Sequence, residues 1–194
     1  MSPSSLIMHP TDRCVFCHFL SGQFRYTILG QDELTVMFVT REQRGVGHVL
    51  VVPRTHRETI IDLEPAEGAA VMAAVIDVSR AVLAAYQCAG LAVWQNNGSA
   101  AHQRVPHVHF HVAGTLPGGG TNFDKVPFLS VEETDAIADR IRPFLRVPAG
   151  GVSPSAVRIA PPERQWPELK GWPGGAGVAV VAGRGCGGVA GRVG

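Results

Sequence analysis

The sequence predicts an α+β fold, a mostly antiparallel sheet covered by helices. Three observations carry this. Up to residue 146, strand-like and helix-like segments alternate along the chain; the β-rich runs fall into two pairs, each joined by a connection that suits a hairpin; and two stretches carry helix start signals. Residues 34–39 (Leu-Thr-Val-Met-Phe-Val) form the first β-rich run and residues 48–53 (His-Val-Leu-Val-Val-Pro) the second, separated by a charged, Gly-containing link. The stretch from Pro65 to about Tyr86 is rich in Ala, Val, Met and Leu, with Pro65 as a first-turn proline and Gly90 as a stop, which predicts a long buried helix. Residues 91–95 and 106–113 make two more strands around the small, polar loop 96–105. Ser130 and Glu133 have capping-box spacing ahead of residues 135–145, a short amphipathic helix interrupted by Pro143.

The domain therefore occupies residues 12–146. Residues 1–11 read as a flexible N-terminus. From residue 147 to 194 the chain holds twelve of its twenty-three glycines and six of its fourteen prolines without a sustained hydrophobic period, so a flexible, low-complexity Gly/Pro-rich tail is expected. The apolar run 178–182 could add an edge strand, but glycines bracket it.

Composition excludes several function classes. With 45% hydrophobic and 17% charged residues the chain of 194 can build one core, and a formal charge of +1 gives no field to hold a polyphosphate backbone, so no nucleic-acid partner is expected. The sequence shows no unbroken apolar span of membrane length and no basic, apolar leader, which predicts a cytoplasmic protein with no membrane partner. Cys14 and Cys17 form a close pair, whereas Cys88 and Cys186 stand alone. That is a poor disulfide framework and a better metal or redox motif.

The chemistry concentrates in Pro106-His107-Val108-His109-Phe110-His111-Val112. Side chains on a strand alternate faces, so His107, His109 and His111 point one way while Val108, Phe110 and Val112 enter the core. Neighbouring rings are about 6.6 Å apart along the backbone, near enough for one phosphate-sized group to touch two. Histidine serves as nucleophile, acid or donor near neutral pH. The competing readings are surface histidines with ordinary hydrogen bonds, or a three-histidine catalytic zinc site.

This His-x-His-x-His run resembles the signature of the histidine-triad family of nucleotide hydrolases and transferases. Two further motifs occur in the family's order: Gly47-His48-Val49-Leu50-Val51-Val52-Pro53-Arg54, and the loop from Asn96-Asn97-Gly98 to Gln103. The resemblance covers about residues 12–146. It implies a five-stranded, mostly antiparallel sheet with two helices, a homodimer, and a groove for a small nucleotide substrate beside the triad. It assigns His109 as the nucleophile on the α-phosphorus, forming a nucleotidyl-histidine that water then hydrolyses. A backbone carbonyl near His107 would fix the tautomer, His48 would buttress the strand, and His111 would donate to a non-bridging or leaving oxygen. Asn96, Gln103 and Arg104 would line the other side of the phosphate. Arg104 stands where many relatives carry Ser or Thr, and Thr40 where relatives often carry an acid for the ribose, so leaving-group and ribose contacts depart from the pattern.

The pair Cys14-x-x-Cys17 needs two further ligands for tetrahedral zinc, and His56 and His107 can supply them. The resemblance extends here to zinc-bearing branches of the family, including the galactose-phosphate uridylyltransferase branch, and implies a structural Zn2+. No thioredoxin-like βαβ pattern surrounds the pair, which argues against redox work. His18 and His102 read as solvated, Cys88 as packed at the end of the long helix, and Trp94 as core. The leading reading is a hydrolase or transferase acting on nucleoside phosphoramidates, dinucleoside polyphosphates or nucleotidyl adducts. The alternative is a catalytically impaired nucleotide-binding or zinc-held interaction module.

Overall fold

Five short strands pair antiparallel in the order β1-β2-β3-β5-β4. They are β1 Ile28–Gln31, β2 Thr35–Val39, β3 Val46–Pro53, β4 Leu91–Trp94 and β5 Phe110–Gly114. The helices are α1 Val15–Leu20, α2 Pro65–Tyr86 and α3 Val131–Ile141. This computed structural model describes residues 14–146. The expected N-terminal segment 1–11, the tail 147–194 with its run 178–182, and Cys186 lie outside the described residues.

The period of two in the central strands builds two cores. Met37, Val39, Val49, Val51, Val108, Phe110 and Val112 face α2 and α3, which contribute Val71, Val75, Val78, Val82, Ala138 and Ile141. Val36, Phe38, Leu50 and Val52 face the other way, under Phe16 and Phe19 of α1. β2 and β3 are thus buried on both sides, which is why they read as continuous apolar runs rather than alternating ones.

Helix α2 begins at Pro65 as expected, behind a Glu64–Glu67 capping box. It ends on Gln87, which turns left-handed at φ +49°, and not at Gly90. It is also not buried all round: Met72, Ile76 and Leu83 are exposed, 45%, 44% and 39%. The helix is long and apolar enough to cross a membrane, with mean hydropathy 1.7, yet here its other stripe lies on the sheet. Helix α3 starts at Val131, four residues before the expected position, because Ser130 itself is the cap: its hydroxyl accepts from Glu133 N at 3.1 Å, and the Glu133 carboxylate accepts from Ser130 N at 2.6 Å. Pro143 converts the last turn to a 3-10 turn, Arg142–Phe144. Two elements escaped the sequence reading, β1 and the short α1 that carries the cysteines. β5 joins the ladder only at Phe110, not Pro106; before it, Val108 N donates to Arg57 O at 2.7 Å.

Candidate active site and metal cluster

The alternation of the histidine run survives intact. Val108, Phe110 and Val112 lie in the α2-side core, and the three imidazoles occupy the opposite face. Across the ladder His111 is opposite Leu50 on β3 and Trp94 on β4, so β3, β5 and β4 set one row. Gly47 makes the entry to β3 possible: its φ is +61°, and a Cβ there would sit 2.6 Å from the Tyr86 ring.

His109 is buried, 7% exposed. Its Nδ1–H donates to the His107 carbonyl at 2.7 Å, so Nε2 carries the lone pair, with no protein partner among the described residues. Burial lowers its pKa, opposed by that hydrogen bond. The ring is therefore neutral at neutral pH. Phe16 of α1 meets it edge-on, 5.3 Å between centroids, and meets His107 at 5.8 Å.

His48 Nε2 and His111 Nδ1 lie 3.0 Å apart. The turn 42–44 offers His48 Nδ1 an acceptor, the Glu42 carbonyl at 2.9 Å, and a donor, the Arg44 amide at 3.3 Å. With the first, His111 presents a lone pair at Nε2; with the second, an N–H. Burial pushes His48 down to about 4. It lowers His111 further, with His109, His48 and Arg44 adding repulsion, so neither ring charges easily. Gln43 locks the same strand end, accepting from His48 N at 2.8 Å and donating to the Thr40 and His48 carbonyls. Trp94, expected in the core, is instead half-buried and stacks on His111 at 4.6 Å with 3° between planes.

The loop residues divide. Gln103 is buried, and its amide is engaged by backbone: it accepts from Gly98 N at 2.7 Å and donates to the Glu58 and Val105 carbonyls at 2.6 and 3.0 Å. Asn96 donates to the Ala101 carbonyl at 2.6 Å. Both brace the loop. Arg104 reaches outward, half-exposed, 3.9 Å from the Glu42 carboxylate. Thr40 is buried beside His48, its hydroxyl accepting from Glu42 N at 3.3 Å. His102 is exposed in a left-handed turn, and His18 accompanies Gln23 rather than the cysteines.

Cys14, Cys17, His56 and His107 converge, with all four ligand atoms within 4.8 Å of one another. Cys14 Sγ lies 3.4 Å from His107 Nδ1, and Cys17 Sγ lies 3.3 Å from His56 Nδ1 and 3.8 Å from His107 Nδ1. Zinc–sulfur and zinc–nitrogen bonds of roughly 2.3 and 2.0 Å set a tetrahedral S···N edge of about 3.5 Å, so the four residues fit that ion. His107 Nε2–H donates to the Pro53 carbonyl at 2.9 Å, which turns Nδ1 and its lone pair toward the thiols. His107 thus belongs to the cluster and His109 does not.

A HIT domain matches residues 21–117. The chain belongs to the HIT family. Among family members, the adenosine 5'-monophosphoramidase of Schizosaccharomyces pombe is 31% identical over 134 residues, 66% of this chain and 95% of that protein. The protein named hit of Bacillus subtilis is 31% identical over 119 residues, 61% and 81% of the two chains. A zinc-bound histidine-triad protein from Mycobacterium smegmatis superposes with a TM-score of 0.57 at 28% identity, covering 67% of this chain and 91% of that one. For this HIT protein the residues missed from sequence are Phe16, Gln43, Arg44 and the Trp94 stack. A Cys-x-Phe-Cys spacing was visible for Phe16; the others had no local signal.

Proposed function

We propose that this HIT protein is a nucleotide hydrolase or transferase that works at the α-phosphate through a nucleotidyl-His109 intermediate. One observation carries the reading: a buried, neutral imidazole whose Nδ1–H is held by the His107 carbonyl, with the Nε2 lone pair left available. The Nε2 pair forms a bond to phosphorus while the bond to the leaving group breaks and takes its electrons, and the leaving group collects a proton. Water then attacks phosphorus, the N–P bond breaks, and the nucleotide departs with His109 restored. In the arrangement where Arg44 N–H faces His48, His111 presents Nε2–H to a non-bridging oxygen or to the departing group and, being hard to charge, acts as a hydrogen-bond donor. Arg104 supplies a half-exposed cation at the same end.

Zn2+ on Cys14, Cys17, His56 and His107 is part of the same proposal; bound there, it supplies a crosslink between the α1 segment and the triad. Through Phe16 that crosslink holds one wall of His109 in place. The proposal also includes a homodimer, a small nucleotide rather than nucleic acid as substrate, and a cytoplasmic setting that keeps the thiols reduced.

Incubation of the full chain with adenosine 5'-phosphoramidate tests the reading. AMP release is expected, and His109→Ala should reduce kcat by at least about a thousandfold, the scale for loss of a covalent nucleophile. Rapid acid-free quenching should capture a nucleotidylated chain in the wild type and none in His109→Ala. Tight AMP binding with no turnover would favour the interaction-module reading, which the departures at Arg104, here paired with Glu42, and at Thr40 support.

A further inference from the structure

The His111 end of the site holds an aromatic ring, Phe123, that the reaction above does not use. Phe123 meets Trp94 edge-on at 5.4 Å between centroids, yet it is 65% exposed. The backbone on either side of it is fixed. Arg44 donates to the carbonyls of Asn122 and Asp124, one on each side of Phe123, at 3.2 and 3.1 Å, and Asn122 N donates to the Arg44 carbonyl at 2.6 Å. The same turn fixes a charge: Glu42 pairs with Arg44 at 3.3 Å and more loosely with Arg104 at 3.9 Å. Its carbonyl and the Arg44 amide are the two alternative partners of His48 Nδ1. An aromatic ring on a clamped segment, a half-exposed guanidinium and the His48–His111 pair therefore hang from one turn, residues 42–44.

Resting on the proposed reading, in which His111 faces the departing group, we propose that Phe123 and Arg104 form a leaving-group subsite that selects a planar ring bearing an anionic substituent. Phe123 and the accessible part of Trp94 take the ring. Arg104, held among the described residues by a long, solvated ion pair, takes the carboxylate or phosphate. The pinned loop matters because a backbone already held in place loses little freedom when a ligand stacks on the ring it carries.

Three adenosine 5'-phosphoramidates test this with the full chain, their leaving amines being cyclohexylmethylamine, benzylamine and 4-carboxybenzylamine. The amines differ in basicity, so the readout is how each ratio of kcat/KM changes between wild type and variant. Phe123→Leu should lower the benzyl-to-cyclohexylmethyl ratio by about fivefold, the scale of an aromatic pair, and leave the carboxyl-to-benzyl ratio alone. Arg104→Gln should do the reverse, lowering the carboxyl-to-benzyl ratio by about fivefold. Phe123 is exposed, so the leucine variant should fold, and thermal melting checks it. Ratios unchanged in both variants, with all three compounds turned over, would overturn the subsite and spare the reading beneath it. No turnover of any compound by the wild type, or undiminished turnover by His109→Ala, would overturn the reading and the subsite with it.

Discussion

His48 is 1% exposed and stays neutral in the fold because burial holds its pKa near 4, against about 6.5 in an unfolded chain. Arg44 and His109 add repulsion to a proton on it, and the hydrogen bond to the Glu42 carbonyl opposes them. Below pH 6.5 the unfolded chain takes up a proton that the folded one refuses, so stability falls as pH drops from about 6.5 toward 4. Between pH 7.5 and 5 this single residue should cost about 2 kcal/mol, measured by urea unfolding at the two pH values. His48→Gln should flatten that slope by a similar amount; an unchanged slope would place the loss elsewhere. At this scale the histidine run was legible because a period of two is a local property, and His48 because the run from Gly47 to Arg54 resembles a histidine-triad motif. The His48 relay to turn 42–44 was not, since Glu42, Arg44 and His111 meet only through the β3–β5 pairing. Gly47→Ala offers a further test: positive φ and the 2.6 Å approach to Tyr86 act together, so a loss of about 2 kcal/mol or more is expected in the same assay.

Helix α1 has six residues, too few to be stable alone, and no side-chain cap at its start. Its fixing comes from Phe16 and Phe19 beneath and from the cysteine–histidine cluster at its N-terminal end. Metal analysis of the purified chain should therefore find about one zinc per chain, and Cys17→Ser should lose most of it. A chelator should lower the melting temperature of the wild type and leave that of Cys17→Ser unmoved; equal chelator responses would argue that no ion holds the cluster. Elements with strong end signals were legible: Pro65 and the Ser130–Glu133 box each sit at a helix start. β1 was not, because its four residues include Gly30 and its register shifts between Ile28 and Gly30, which erases any period. α1 was hidden for the opposite reason, a single helical turn and a half whose stability is wholly tertiary.

For the molecule as a whole, the expected homodimer has a surface that suits it. β4 is a sheet edge, and its Val93, opposite Val112 on the ladder, points to the same side as α2 and is 48% exposed. Along the outer face of α2, Met72 and Ile76 are one turn apart and Leu83 two turns further on, and Ile60 and Ile61 stand exposed just before the helix. A long apolar stripe beside an unpaired strand edge is a liability in a monomer and a natural isologous contact in a twofold dimer, where each copy covers the other's stripe and edge. A stable contact needs roughly 800 Å² from each copy, an area that one helix face and one strand can supply together. Light scattering on the eluting chain should thus give twice the mass of one chain at micromolar concentration. The double substitution Met72→Glu with Ile76→Glu places two charges on each copy at the centre of that contact, opposite their own images. It should shift the mass to that of a single chain while leaving both cores, which these exposed side chains do not enter, intact by circular dichroism. A wild type that elutes as a single chain at tens of micromolar would remove the dimer from the proposal and leave this stripe free.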